Sequence, residues 1–174
     1  MKLAITILGN KTEGLIPEIL ALLSACHCDV LELRSSGLSE ISWLYLLVDG
    51  NWNQIAKLEG LLELIATRLG LEVNFLRPEE ELLVKEGVPY LLETISADKK
   101  DLMFAVSAFL QERGVVIEEV TASRHQAPYF NHRVFSSKFV LLVPTDVHIL
   151  SLREEFLDFC DDLNIDAILE PIKR

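Results

Sequence analysis

Long hydrophobic runs and cysteine are both scarce in this chain. Half of its 174 residues are hydrophobic, yet no apolar run is long and uninterrupted enough to cross a bilayer. Three cysteines, Cys26, Cys28 and Cys160, leave one unpaired in any disulfide scheme and are too few to staple a fold of this size. Met1 and Lys2 lead directly into an apolar strand rather than a signal peptide, so we expect a soluble, cytoplasmic protein with reduced thiols and no membrane partner.

Positively charged residues are also few. The chain carries 16 Lys and Arg against 27 Asp and Glu, which gives a formal net charge of −11. Nucleic-acid binding needs clustered Lys and Arg to displace counterions from the phosphate backbone. We therefore expect no direct contact with nucleic acid.

The short motifs of the common enzyme classes are missing as well. There is no phosphate-binding lysine loop, dinucleotide fingerprint, paired-histidine zinc helix or serine elbow. Cys26, His27 and Cys28 bring three potential metal ligands together, but packing at a helix end is favoured because the other cysteine and histidines show no finger-like spacing. Cys26 also lies near a predicted helix C-terminus, where the dipole disfavours a thiolate. We predict no enzyme activity, no metal and no cofactor.

What the chain does contain is a pattern of strands and helices that occurs twice. The first copy has predicted strands at residues 2–8, 29–33, 41–48 and 71–76. Its first helix follows the loop from Gly9 to Gly14 and has a predicted inner stripe of Ile16, Ile19, Leu20, Leu23 and Cys26. Asn51 and Gln54 resemble a capping box for a second helix that stops at Gly70. The order of elements is βαββαβ.

The second copy repeats this order with strands at residues 90–97, 115–123, 136–143 and 165–172. Asp146 is the predicted cap of its last helix. Residues 28–32 align with 114–118 at a shift of 86, and residues 51–52 align with 146–147 at a shift of 95. The nine added residues fall in the second hairpin, around residues 124–133. We predict a first domain at 1–78, a linker at 79–88 and a second domain at 89–174.

The enlarged hairpin loop is the strongest candidate for binding a partner protein. It concentrates positive and aromatic residues in an acidic chain, and Arg and aromatic residues are the types that anchor interfaces. The candidate residues are Arg124, His125, Tyr129, Phe130, His132 and Arg133. A loop folded on its own sheet edge is an equally weighted alternative. Because two helices cannot cover both faces of a four-stranded sheet, we also expect domain pairing and a homo-oligomer.

Three segments carry a resemblance to a known family. They are residues 5–9 running into 14–16, residues 26–30, and residues 50–55, where a tryptophan starts the second helix. With the duplication, they resemble tandem ACT domains and, more narrowly, the glycine cleavage system transcriptional repressor family. The resemblance implies an α+β fold of two tandem ferredoxin-like βαββαβ (ACT) domains, with antiparallel sheets and the helices packed on one face.

The resemblance also implies a ligand site in the loop after each first strand, where the backbone at a helix N-terminus meets an amino acid such as glycine. The corresponding residues are Gly9, Asn10, Lys11, Thr12, Glu13, Gly14 and Leu15 in the first copy and Asp98 in the second. The second loop has Asp101 in place of the family's glycine, which would crowd a ligand and repel its carboxylate.

The function implied by the resemblance is a non-enzymatic repressor or co-regulator of glycine cleavage genes. The resemblance, together with the acidic charge and the absence of a helix-turn-helix segment, implies that it contacts a DNA-binding transcriptional regulator rather than DNA. The alternative is an amino-acid-sensing regulatory subunit of a metabolic enzyme.

Overall fold

The computed structural model describes residues 1–10, 12–36, 40–78, 86–97, 101–126 and 133–172. These residues form eight strands and four helices, and the chain divides into two compact units, Met1–Leu82 and Leu83–Arg174. No helix in these ranges has the length and apolar character needed to cross a bilayer.

The first unit has the predicted βαββαβ order. Its elements are β1 (Lys2–Asn10), α1 (Leu15–Ala25), β2 (Asp29–Ser36), β3 (Ile41–Asp49), α2 (Trp52–Leu69) and β4 (Glu72–Leu76). The strands form an antiparallel sheet in the order β2-β3-β1-β4. The capping box is confirmed, since the Asn51 side chain accepts from the Gln54 N–H and the Gln54 side chain accepts from the Asn51 N–H. Gly70 ends α2 in the left-handed conformation, as predicted.

The second unit repeats the arrangement. Its elements are β5 (Val88–Ala97), α3 (Leu102–Glu112), β6 (Val116–Gln126), β7 (Arg133–Val143), α4 (Ile149–Leu163) and β8 (Ile165–Pro171). The sheet order is β6-β7-β5-β8, again antiparallel. The predicted α+β fold of two tandem ferredoxin-like units is therefore confirmed.

Alternation along the strands places both helices of each unit on one face of its sheet. Leu3, Ile5 and Ile7 of β1 are buried against helix residues, and the residues between them point to the other face. One part of the predicted α1 stripe is wrong, because Ile16 is 38% exposed and Leu20 is 39% exposed. The buried row begins one residue earlier, at Leu15, and continues through Ile19 and Leu23 at a spacing of four.

The internal alignment also needs correction by one residue. The left-handed residues Gly14 and His27 of the first unit correspond to Asp101 and Gly114 of the second, a shift of 87 rather than 86. The β-bulges at Leu31 of the first unit and Glu118 of the second are related by the same shift of 87. Buried Val48 of β3 corresponds to buried Val143 of β7, which confirms the shift of 95 after the hairpin. The second hairpin is therefore longer by eight residues, the difference between 95 and 87.

Two predictions for the second unit are wrong in detail. Residue His148, not Asp146, caps α4, and its Nδ1 accepts from the Ser151 N–H at 3.4 Å. Part of the predicted 124–133 loop is strand, since β6 runs to Gln126 and β7 begins at Arg133. Local polarity favoured a loop there, but the ladder between β6 and β7 continues through these residues.

Candidate functional site

A cavity of 220 Å³ lies at the N-terminus of α1 in the first unit. Three segments form its wall. They are the loop before α1 together with the first turn of that helix, the end of β2, and the start of β3. The lining residues are Thr12, Gly14, Leu15, Ile16, Pro17, Ser35, Ser36, Ser42, Trp43 and Leu44. The predicted first-unit ligand loop thus forms one side of a real cavity.

Gly14 shapes the entrance to the helix. It has φ 75°, in the left-handed region that glycine tolerates best, and a Cβ built on it would meet no heavy atom within 4 Å among the described residues. The first hydrogen bond of α1 runs from the Glu18 N–H to the Gly14 carbonyl at 3.1 Å. The N–H groups of Leu15 and Ile16 precede this bond, and no side chain caps the helix in the described region. Two backbone donors therefore lie at the cavity, since Pro17 has no N–H.

The rest of the cavity wall is neutral. Its hydroxyl-bearing residues are Thr12, Ser35, Ser36 and Ser42, and the Thr12 N–H donates to Ser42 Oγ at 3.2 Å, which fixes the loop to β3. The apolar wall includes Leu44, which is buried, and Trp43, which is 39% exposed. No charged side chain is among the described lining residues, so within this part of the wall a ligand anion would meet backbone dipoles and hydroxyls.

The structure brings together only part of the predicted ligand set. Thr12, Gly14 and Leu15 line the cavity, and the Glu13 side chain is exposed outside it. Gly9 and Asn10 belong to β1 and do not line it. Gly9 has a packing role instead, since a Cβ there would lie 2.3 Å from the Leu71 side chain. Lys11 and Asp98 fall outside the described residues.

The sequence analysis missed the sheet side of the cavity. Ser35 and Ser36 fall beyond the predicted second strand, residues 29–33, but lie in β2, opposite Leu44 and Trp43 of β3. The available signal was a cluster of small hydroxyl residues at the ends of two paired strands. Once the strand pairing is known, the end of β2 and the start of β3 are seen to lie beside the loop that follows β1.

The second unit has a cavity in the equivalent place, at the N-terminus of α3. Its volume is 660 Å³, and its lining residues are Asp101, Leu102, Met103, Phe104, Ala122, Ser123, Arg124 and Phe135. At the shift of 87, Asp101 replaces Gly14 and Ala122 replaces Ser35. Asp101 has φ 62°, so the backbone keeps the left-handed turn although the residue is not glycine. The two cavities therefore differ in volume and in the charge of the residue that holds the left-handed turn.

Arg124 was predicted to bind a partner but is one of the residues that line this second cavity. Its guanidinium carbon lies 5.8 Å from the centroid of the Phe135 ring, a cation–π contact across the β6–β7 ladder. His125 and Arg133 are exposed on the same hairpin, opposite Val134 and Gln126 respectively. Tyr129, Phe130 and His132 lie outside the described residues.

The cysteines show no sign of an activated thiol. Cys26, Cys28 and Cys160 are buried and free. Burial, followed by the negative charges of neighbouring groups, raises the pKa of Cys28, and burial raises the pKa of Cys160 to about 11. Within the described residues, no group of three His, Cys, Asp or Glu side chains is arranged to hold a metal ion.

Comparison with known protein families identifies the type of the first unit. Residues 2–76, most of the first unit and less than half of the chain, match the ACT domain family. The predicted resemblance to ACT domains is confirmed in the first unit, and the second unit repeats the same βαββαβ order and sheet arrangement.

Two solved structures match nearly the whole chain. A candidate glycine cleavage system transcriptional repressor is 21% identical, with a TM-score of 0.74 over 99% of this chain and 98% of that one. A protein of unknown function from Galdieria sulphuraria is 17% identical, with a TM-score of 0.76 and the same coverage. At these identities the similarity establishes the tandem fold. No curated protein sequence matches the chain.

Proposed function

We propose that this chain is a non-enzymatic regulator of amino-acid metabolism that binds a small amino acid in the first-unit cavity. The observation that carries the proposal is the neutral, hydroxyl-lined cavity at the N-terminus of α1, within an ACT domain. The N–H groups of Leu15 and Ile16 receive the ligand carboxylate, and the hydroxyl of Ser35, which is on the same face of the sheet as buried Leu44, accepts from its ammonium.

The dimensions of this cavity favour a very small ligand. Its 220 Å³ is below the range of about 300–1,000 Å³ typical of drug-sized ligands. Glycine has about five non-hydrogen atoms, and a ceiling of about −1.5 kcal/mol per atom limits its binding free energy to roughly −7.5 kcal/mol. The dissociation constant is then no tighter than a few micromolar, on the order expected for a metabolite sensor.

Calorimetry on the full chain tests the ligand. Titration with glycine and a panel of other amino acids should give saturable binding to the wild type, and Gly14→Val should abolish it because a β-branched residue strains the left-handed turn and crowds the cavity mouth. Gly70→Val is the matched control, since Gly70 also has positive φ and open space but does not line the cavity. If the wild type binds no amino acid, the ligand part of the proposal is wrong and regulation must depend on protein contacts.

We further propose that the chain represses glycine cleavage genes by contacting a DNA-binding transcriptional regulator. The net charge of −11 argues against binding to a phosphate backbone, and the near full-length similarity in fold to a candidate repressor of this system supports the assignment. The exposed Arg124, His125 and Arg133 of the β6–β7 hairpin are the proposed contacts with the partner.

Co-purification from native cells, followed by mass spectrometry, tests the partner. We expect a DNA-binding protein to be recovered with the wild type and to be lost with Arg124→Glu/Arg133→Glu, whereas Lys57→Glu, a surface charge reversal on α2, should retain it. Recovery of a metabolic enzyme as the main partner would favour the regulatory-subunit alternative instead. Tight, salt-sensitive binding of promoter DNA by the purified chain alone would refute the indirect mechanism.

A further inference from the structure

The solvent face of α2 carries four residues at a constant spacing of four: Trp52, Ala56, Gly60 and Leu64. Trp52 is 70% exposed and Leu64 is 68% exposed, and the two small residues between them are exposed as well. Leu58 is fully buried and lies on the opposite side of the helix. This face therefore points directly away from the core of the first unit.

The described part of the chain gives no packing reason for two of these residues. A Cβ built on Gly60 would meet no heavy atom within 4 Å among the described residues, so nothing there requires a glycine. Glycine is nevertheless the least favourable helix residue after proline. Trp52 exposes a large apolar ring that the capping box at Asn51 and Gln54 does not need. Both features are explained if another surface covers this face.

The order of side-chain sizes along this face is palindromic. Large, small, small and large residues are placed symmetrically about position 58. In an antiparallel pair of α2 helices related by a two-fold axis at that level, Trp52 lies beside Leu64 of the second helix and Ala56 lies beside Gly60. Asn53 and Glu63, also exposed, are equidistant from position 58, so that an amide N–H would face a carboxylate.

We propose that α2 packs antiparallel against α2 of a second copy of this chain. The small residues at the centre allow the two backbones to approach closely, and the tryptophan and leucine cover the ends of the contact. A second copy is the occupant because two-fold pairing about position 58 sets each residue of this face against one of matching size and sets Asn53 against Glu63 of the other helix. The inference is independent of the proposed ligand and transcriptional partner.

The other long helix provides an internal comparison. Helix α4 also exposes two leucines, Leu150 at 60% and Leu157 at 45%. However, Glu154, Asp158 and Asp161 are exposed on the same helix, and a symmetric pairing would bring these like charges together. Of the helices α2 and α4, only α2 has an exposed face that combines large apolar residues at its ends with uncharged residues at its centre.

Sedimentation and light scattering of the full chain over a concentration series test the contact. We expect a concentration-dependent dimer whose dissociation constant weakens at least about tenfold in Trp52→Glu and in Gly60→Gln. Glutamine favours the helix over glycine, so loss of the dimer in Gly60→Gln cannot be attributed to an unfolded helix. The control, Leu150→Glu, changes another exposed first-turn residue, in α4, and should leave the dimer unchanged. A wild type that stays monomeric, or a dimer that is insensitive to both α2 variants, would overturn the proposal.

Disulfide cross-linking tests the register separately. The native cysteines are buried, so Ala56→Cys and Gly60→Cys each add one exposed thiol. Because position 56 faces position 60 of the partner, a mixture of the two variants should form a covalent dimer under mild oxidation, and each variant alone should form much less. Equal cross-linking of the separate variants, or none in the mixture, would contradict the antiparallel register.

Discussion

Three glycines in the first unit allow the cost of the left-handed turn at the cavity to be measured without steric interference. A Cβ at Gly14, Gly60 or Gly70 would meet no heavy atom within 4 Å in the described part of the chain. Substitution by alanine therefore changes only the backbone preference. Gly14 has φ 75° and Gly70 has φ 66°, whereas Gly60 is in the interior of α2.

The expected changes in the free energy of unfolding have opposite signs at the left-handed positions and at the helical position. Placing an L-residue in the left-handed region costs about 1–2 kcal/mol, so Gly14→Ala and Gly70→Ala should each destabilise the first unit by that amount. Gly60→Ala should stabilise the monomer by about 1 kcal/mol, the difference in helix propensity. The gap between Gly14→Ala and Gly60→Ala is then about 2–3 kcal/mol.

Urea unfolding followed by tryptophan fluorescence measures this gap in dilute solution. Both tryptophans of the chain, Trp43 and Trp52, lie in the first unit, so the signal reports that unit. For a domain of this size, each kcal/mol corresponds to a shift of about 4–8 °C in Tm. If Gly14→Ala is as stable as the wild type, the residue does not hold the left-handed conformation, and the geometry assigned to the cavity mouth is wrong.

Three further predictions concern the cap of α2 and the buried interior of the second unit. Asn51→Ala removes an acceptor for the Gln54 N–H and should destabilise the first unit by about 1 kcal/mol in the same fluorescence assay. Burial raises the pKa of Cys160 to about 11 from an ordinary value of 9.0, so its contribution to stability is complete below pH 9 and is lost as the pH rises toward 11. A pH series of unfolding free energies should show this slope for the wild type and lose it in Cys160→Ala. The buried Thr94 and Ser137 hydroxyls are 2.6 Å apart, so Thr94→Val should cost about 1–3 kcal/mol while Thr94→Val/Ser137→Ala costs less, as calorimetric unfolding would show.

Periodicity predicted the order of all twelve elements because each pattern has a local physical cause. The alternation through Leu3, Ile5 and Ile7 marks a strand with one covered face, and the pair Asn51 and Gln54 marks a helix start. The cap of α4 was harder to find. Residues 144–148 contain both Asp146 and His148, and only the tertiary geometry decides which side chain reaches a free N–H.

The candidate site was predictable only on its loop side. Glycine at position 14 signals a left-handed turn within the local sequence, but Ser35, Ser36 and Ser42 reach the cavity through strand pairing. That pairing depends on the register of β2 against β3, which includes a bulge at Leu31. The position of Arg124 also depends on strand pairing, because the β6–β7 ladder extends far enough to place Arg124 at the cavity beside the N-terminus of α3.

The charge at Asp101 gives the sharpest difference between the two units and leads to a prediction about the number of ligand sites. Asp101 holds the left-handed turn that Gly14 holds in the first unit, and its side chain makes no capping hydrogen bond in the described region. Asp101 lines the second cavity with Leu102 and Met103, whose N–H groups a ligand carboxylate would approach, and two like charges in contact repel. Asp101→Gly removes both the charge and the backbone strain, and Asp101→Asn removes the charge alone.

If the charge of Asp101 is what prevents ligand binding in the second cavity, both variants should raise the calorimetric stoichiometry for the ligand from about one to about two per chain. If only Asp101→Gly does so, the side-chain bulk is responsible. A stoichiometry that stays at one in both variants would show that the second cavity, with its larger volume of 660 Å³, lacks the contacts to hold an amino acid at all.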